Sequence, residues 1–416
     1  MRGEIVNSVA ILHASQLVTL SGPKRARAGK ELSELAIIHD GGMLIRDGKI
    51  DNVGRSDEIE KNAGDAEIVD LGGRVVLPGF VDAHTHLVFA GNRLDDFERR
   101  ARGETYEQIA KAGGGIWSTV EKTRAASEAD LFAQAKKHAD WFLKCGTTTI
   151  EAKSGYGLTL VDELKVLRVM GQLNEQTPLE IVPTFLGAHA VPRDTSPDKY
   201  VDLVINEMLP RVAKEKLAEF CDVFCEPGYF DVEQSRKILS AAKKLGLKLR
   251  GHIDQLTNSG GAKLMAELGA TTADHLEKTD EQGIAALKAS NVQPVLLPGS
   301  VYALGSTSYP RARQMIEAGL AVVLATDFNP GSSPTSSMPM ILSLACTQMK
   351  MSPVEAIAAS TINAAYSLNR GDKIGSLELG KLANLAVFDC EDYRELAYWF
   401  GLPQTHAVYV RGKRTR

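Results

Sequence analysis

Aromatic residues make up only 6% of the 416-residue chain, and neither sign of charge dominates: 48 Lys and Arg stand against 52 Asp and Glu, a net charge of −4. Such a surface lacks both the excess of phosphate-neutralising cations and the stacking platforms that a nucleic-acid binder uses. No apolar run approaches the ~18 residues of a membrane-spanning helix, so no membrane partner is expected. The five cysteines, Cys145, Cys221, Cys225, Cys346 and Cys390, form no Cys-x-x-Cys pair and imply no disulfide framework. Cys221 and Cys225 stand four apart in an apolar segment and read as small buried thiols on one face of a strand. The opening Met-Arg-Gly-Glu-Ile-Val-Asn puts an acid where a secretory leader wants positive charge, and the apolar stretch after it is broken by His13. The chain reads as cytoplasmic. A Walker loop and a His-Glu-x-x-His motif are also missing.

What is present is a globular composition, 44% hydrophobic and 24% charged. Residues 1–74 and 369–416 are both rich in short apolar runs broken by Gly and Asp, and they predict one small β domain assembled from the two ends of the chain. Between them, residues 75–368 alternate short apolar runs with helical periodicity. The runs are 75–84, 147–153, 180–189, 221–226, 247–253, 270–275, 292–297 and 320–327, and helical patterns cover 128–144, 161–174, 198–214, 232–245, 260–268, 281–288, 309–318 and 353–368. Strict alternation points to a parallel sheet, and eight repeats is the count that closes a (β/α)₈ barrel, an α/β fold.

Polar singletons then fall in one place. His84, His86, Lys153, His189, Glu226, His252, His275 and Asp327 each stand at or near the C-terminal end of an apolar run, the rim where such barrels gather catalytic residues. His84 and His86 are two apart on a strand, so they point to the same side and both can reach one ion. With His252, His275 and Asp327 they make a set of imidazoles and one carboxylate converging on the barrel mouth. A borderline-soft cation such as zinc takes this mix of ligands.

Pro78-Gly-Phe-Val-Asp-Ala-His84-Thr-His86, the strand-end His252 and His275, and Thr326-Asp327 resemble the amidohydrolase superfamily. A closer resemblance is to its imidazolonepropionase family. It rests on Phe89-Ala-Gly-Asn-Arg93, Ala112-Gly-Gly-Gly-Ile116, Lys153-Ser-Gly-Tyr156-Gly, Thr184-Phe-Leu-Gly-Ala-His189-Ala and Asp327-Phe-Asn329-Pro-Gly331-Ser332. The resemblance implies a distorted (β/α)₈ barrel with a small β-sandwich formed from both termini. It implies one metal ion, zinc or iron, on His84, His86, His252 and Asp327. The implied reaction is hydrolysis of 4-imidazolone-5-propanoate, a small-molecule cyclic amide, to N-formimidoyl-L-glutamate in histidine degradation. In that chemistry Asp327 would shuttle the proton, and His275 and His189 would contact the reacting carbonyl, their two roles being interchangeable on sequence alone. Arg93 would take the propanoate, with Tyr156, Gln255, Asn329, Gly331 and Ser332 lining the pocket and Tyr106 a weaker candidate. A homodimer is what the resemblance suggests.

Two positions separate alternatives. Deaminases of the superfamily use His-x-x-Glu, whereas this chain has His252-Ile-Asp-Gln255, and a glutamine exchanges no proton at neutral pH. Another nitrogen heterocycle therefore remains only as the alternative substrate. Lys153 raises a binuclear site bridged by a carbamylated lysine, but the superfamily's bridging lysine belongs to a later strand. Gly113 to Gly115 reads as a flexible connection or a hinged lid.

Overall fold

The structure, a computed structural model, describes residues 8–105, 108–109 and 112–416; Tyr106 lies outside the described residues. Strand Ser8–Val18 (β1) pairs antiparallel with Ile37–Arg46 (β2), which pairs in turn with Lys49–Arg55 (β3). On its other side β1 runs parallel to Glu67–Asp70 (β4) and Val75–Pro78 (β5). The barrel follows with Phe80–Asp82 (β6), Thr147–Lys153 (β7), Glu180–Ala188 (β8), Phe220–Cys225 (β9), the broken strand Lys248–Leu249 and His252–Ile253 (β10 and β11), Thr272–His275 (β12), Gln293–Leu296 (β13) and Val323–Leu324 (β14). These strands form one parallel sheet in chain order. Last come Leu385–Phe388 (β15), Thr405–Val410 (β16) and Lys413–Arg414 (β17), which add to β5 and complete the terminal sheet.

Both expected units are therefore present. The parallel sheet closes where Thr85, just past β6, bridges Phe328, just past β14, and where the backbone and hydroxyl of Thr326 both donate to the Asp82 carboxylate. Val81, Val182, Phe220, Val295 and Val323 fill the lower interior, as branched and aromatic side chains do in barrels of this kind. The terminal sheet folds over on itself: Met43 and Ile45 of β2 share a buried cluster with Ala407 and Tyr409 of β16, and Lys49 bridges Leu382 where the ends meet. That closure makes the small sandwich from both ends of the chain. Among the described residues no helix is long and apolar enough to cross a membrane.

Several expected elements come out differently. The run 75–84 is split between the sheets, with Val75–Pro78 in the terminal sheet and Phe80–Asp82 in the barrel. Gly79 makes the step, its N–H donating to Asn384 while that of Phe80 donates to Gly146. The pattern 353–368 is two helices, Pro353–Ala359 and Ile362–Ser367, because the Ser360 carbonyl at the break accepts the Val81 N–H at 2.9 Å. The pattern 309–318 narrows to Ala312–Glu317, since Pro310 keeps the residue before it extended. The helix Met338–Met349 was not anticipated, because it is buried and apolar nearly all round and so shows no amphipathic period.

A Cβ built on Gly79 would sit 2.3 Å from Thr148 Cγ2, at the seam between the two sheets. Gly79→Ala is therefore expected to cost about 1–3 kcal/mol through overpacking. Thermal unfolding reads this as a lowered Tm, and an unchanged Tm would mean that the seam is loose.

Candidate metal centre and substrate cavity

The histidines lie at the strand ends because the strands place them there. β6 delivers His84 and His86, β11 begins on His252, and β12 ends on His275, one residue across from Ile253 in register. Asp327 follows β14 with φ of 54°, a left-handed turn that Asp tolerates better than most residues, and its N–H donates to the His84 carbonyl at 3.1 Å. His189 follows β8, where its Nδ1–H donates to the Gly155 carbonyl at 3.0 Å.

Two of the imidazoles, His84 and His252, are oriented by the nitrogen that faces away from the centre. His84 Nδ1–H donates to Asp274 at 2.7 Å and His252 Nδ1–H to Asp222 at 3.0 Å, which leaves each Nε2 with its lone pair pointing inward. Both Nε2 atoms are buried and without a hydrogen-bond partner. Asp327 Oδ1 lies 3.6 Å from His84 Nε2 and 3.5 Å from His86 Nε2. Ligand atoms of His84, His86 and Asp327 lie within 4.8 Å of one another, as do those of His84, His252 and His275, and those of His86, His189 and His252. His84, His86 and His252 each belong to two of these triads, so the arrangement fits a cation bound among imidazole nitrogens and one carboxylate.

Burial, then the Lys153 ammonium, holds the His84 imidazole well below its usual range. Burial, then His189, does the same to His86, while burial lowers His252. His189 is pushed down to about 3 by burial and by His252. Burial also opposes the charged form of His275, but the Glu277 carboxylate beside its Nδ1 outweighs it and leaves that pKa raised. Burial pushes the Asp327 carboxyl up to about 7.

Above the cluster opens a cavity of about 480 Å³. His86, His189, His252, His275, Asp327, Arg93, Tyr156, Gln255, Asn329, Gly331 and Ser332 all line it, so among the described residues the structure brings together every site residue expected from sequence except His84. His84 lies beneath, wholly buried. Arg93 Nε donates to Thr119 at 2.8 Å, and the guanidinium passes so close to Gly331 that a Cβ there would meet Arg93 Nη1 at 2.2 Å. Asn329 has its amide committed to its own loop: Oδ1 accepts from the N–H groups of Gly331 and Ser332, and Nδ2 donates to the Asp327 carbonyl and to Ser332 Oγ. It shapes the cavity wall. Gly115 and Ile116, after the glycine run, also line the cavity, and the Gly115 N–H is held by Asp96 at 2.8 Å.

Sequence reasoning missed the residues behind this surface. Glu151, Lys153, Asp222, Arg250 and Asp274 are wholly buried inside the barrel and pair with one another. Lys153, expected among the rim residues and considered as a carbamate bridge, instead turns its ammonium to carboxylates beneath the cavity. The usable signal was a charged residue inside an apolar strand, which is costly to bury unless others answer it. Glu163 was also missed. Wholly buried in the helix Leu160–Gln176, it accepts the N–H groups of Gly155, Gly157 and Leu158 and so fixes the loop that carries Tyr156. Arg100 was overlooked too; it lines the cavity and donates to the Gly331 carbonyl at 3.1 Å.

The sequence profile of the Amidohydrolase family matches residues 75–415. An imidazolonepropionase of Solibacter usitatus is 60% identical over 407 residues, covering 97% of each chain. One from Brevibacillus brevis is 48% identical over 411 residues, again covering 97% of each. The chain belongs to the amidohydrolase family, in its imidazolonepropionase branch. Among solved structures, an adenosine deaminase from Xanthomonas campestris with bound zinc matches with a TM-score of 0.74 at 18% identity, covering 98% of this chain and 92% of that one. A guanine deaminase from C. acetobutylicum with bound guanine gives 0.69 at 17% identity, covering 98% and 100%. At these identities the likeness extends to the amidohydrolase fold alone.

The unpartnered Nε2 atoms generate a direct expectation. The purified protein should carry about one metal ion per chain by elemental analysis, and His84→Ala and His252→Ala should each lose most of it. Full metal content in either variant would move the centre elsewhere.

Proposed function

We propose that His84, His86, His252 and Asp327 hold one metal ion, zinc or iron, and that the cavity above binds 4-imidazolone-5-propanoate. The reaction is that of the imidazolonepropionases: hydrolysis of the C–N bond of the cyclic amide, yielding N-formimidoyl-L-glutamate. The observation that carries this reading is the floor of the cavity, where inward Nε2 lone pairs and one buried carboxylate converge below Arg93. When bound, the ion would supply Lewis-acid activation of a water nucleophile.

The chain's own residues do the rest. Asp327, at the floor beside both His84 and His86, accepts the proton of the attacking water and returns it to the ring nitrogen, which leaves poorly unless protonated. The hydrogen bonds support dividing the two remaining histidines. Glu277 beside His275 Nδ1 favours the imidazolium, whose Nε2–H is a donor for the oxygen that gains charge. His189 donates from Nδ1 to Gly155, so its Nε2 is an acceptor, suited to a ring N–H. Arg93 takes the propanoate in the geometry that suits a guanidinium fork, and Tyr156, Gln255 and Ser332 bound the ring. Gln255 lines the cavity where the superfamily's deaminases have an acid, so the alternative of deaminating another heterocycle lacks its proton donor.

Freshly made substrate, followed by loss of ring absorbance and appearance of formimidoylglutamate, tests the reading; persistent absorbance with metal-loaded protein would end it. Asp327→Asn should lower kcat by about 10²–10⁴-fold, the range for a lost acid–base group. Arg93→Met should raise KM by about 10–100-fold, equivalent to one charge-assisted hydrogen bond of about 1.5–3 kcal/mol, with kcat changed far less. Gly331→Ala should shift KM in the same direction, because its methyl group displaces the guanidinium.

A further inference from the structure

Beneath the histidines, Lys153 is wholly buried at the end of β7. Its Nζ lies 2.7 Å from Glu151 Oε1, 2.7 Å from Asp222 Oδ2 and 3.7 Å from Asp274 Oδ2. Two of those carboxylates have a second task. Asp222 Oδ1 accepts both the backbone N–H and the Nδ1–H of His252, and Asp274 Oδ2 accepts the Nδ1–H of His84. One ammonium on β7 thus stands between two carboxylates, on β9 and β12, that orient imidazoles on β11 and just past β6. Arg250, with Nη2 3.4 Å from Asp274 Oδ2 and Nε 3.8 Å from Glu151 Oε1, closes the cluster from below.

We propose that Lys153 is a positioning residue for the metal centre: by clamping Asp222 and Asp274 it fixes the ring orientation and tautomer of His252 and His84. The inference rests on the reading that these histidines hold the ion. It differs from a general electrostatic role in the sign of its effect. The cluster sets two cations, Lys153 and Arg250, against three carboxylates. If charge alone mattered, removing the lysine would make the surroundings more negative and tighten the hold on a cation. If position matters, the carboxylates turn away from the imidazoles and the hold weakens, by about 10–100-fold for a lost outer partner of a metal-binding histidine. Burying a cation among carboxylates is justified only when its geometry is good, and here the two short contacts fall on Glu151 of the same strand and on Asp222 of β9, across β8.

The test is zinc affinity by chelator competition on stripped protein, measured for the wild type, for Lys153→Met and for the charge-balanced Glu151→Gln/Lys153→Met, with circular dichroism confirming the fold. The balanced variant removes one cation with one anion, and Glu151 touches no imidazole in the hydrogen-bond network, so it guards against unfolding by uncompensated charge. Positioning is borne out if both variants bind zinc about 10–100-fold more weakly than the wild type. It is overturned if Lys153→Met binds as tightly or more tightly, or if the balanced variant matches the wild type. A wild type that binds no zinc or iron instead removes the metal reading itself, which the wild-type titration shows separately.

Discussion

A charged side chain inside a barrel must be answered by an opposite charge, and the rest of this site depends on how that is done. Glu151, Lys153, Asp222, Arg250 and Asp274 come from three strands of the parallel sheet, β7, β9 and β12, and the segment joining β10 to β11, and all are wholly buried. Breaking one partner of such a pair typically costs about 3–5 kcal/mol, because it leaves a buried charge unpaired. The strands that carry these residues are thereby held in one register, His252 opposite Asp274 and Ile253 opposite His275. The histidine rings inherit that register. A lower layer of Val81, Val182, Phe220, Val295 and Val323, plugged by Ala364, Ala365 and Leu368, keeps water from reaching the cluster from beneath.

This explains what the sequence made legible and what it hid. The eight apolar runs, the rim positions and the two-ended domain followed from periodicity, since a parallel barrel writes nearly continuous apolar strands. The histidines followed from their places at strand ends. Which nitrogen of His84 and of His252 faces the centre did not, because that choice is made by Asp274 and Asp222, residues with no motif of their own. The split at Gly79 was hidden for a related reason: Val75–Pro78 and Phe80–Asp82 are equally apolar, and only strand pairing tells which sheet each joins. The break between 359 and 362 was likewise set from outside, by the Val81 N–H that takes the Ser360 carbonyl.

The centre and the cavity are supported by different means. Strands and buried charges fix the imidazoles, whereas the wall that would meet a substrate sits on loops gathered by polar side chains. Glu163 gathers three N–H groups of the loop bearing Tyr156, in which Gly155 at φ of 107° and Leu158 at φ of 52° adopt left-handed conformations. Asn329 gathers two N–H groups of the loop bearing Gly331 and Ser332. Glu226 accepts the N–H groups of Leu256 and Thr257 beside Gln255.

Such a division lets the wall change without disturbing the floor. A substitution on a loop alters what the cavity admits, while the charge pairs beneath continue to hold the imidazoles. Gln255 shows the principle at a single position. It stands three residues after His252, just past β11, yet its neighbours are the Glu226-anchored loop and the cavity, so an amide there bears on substrate fit while His252 stays on Asp222. The converse holds beneath the floor. There a change at one residue reaches the others, because Asp222 and Asp274 each serve both a cation and an imidazole.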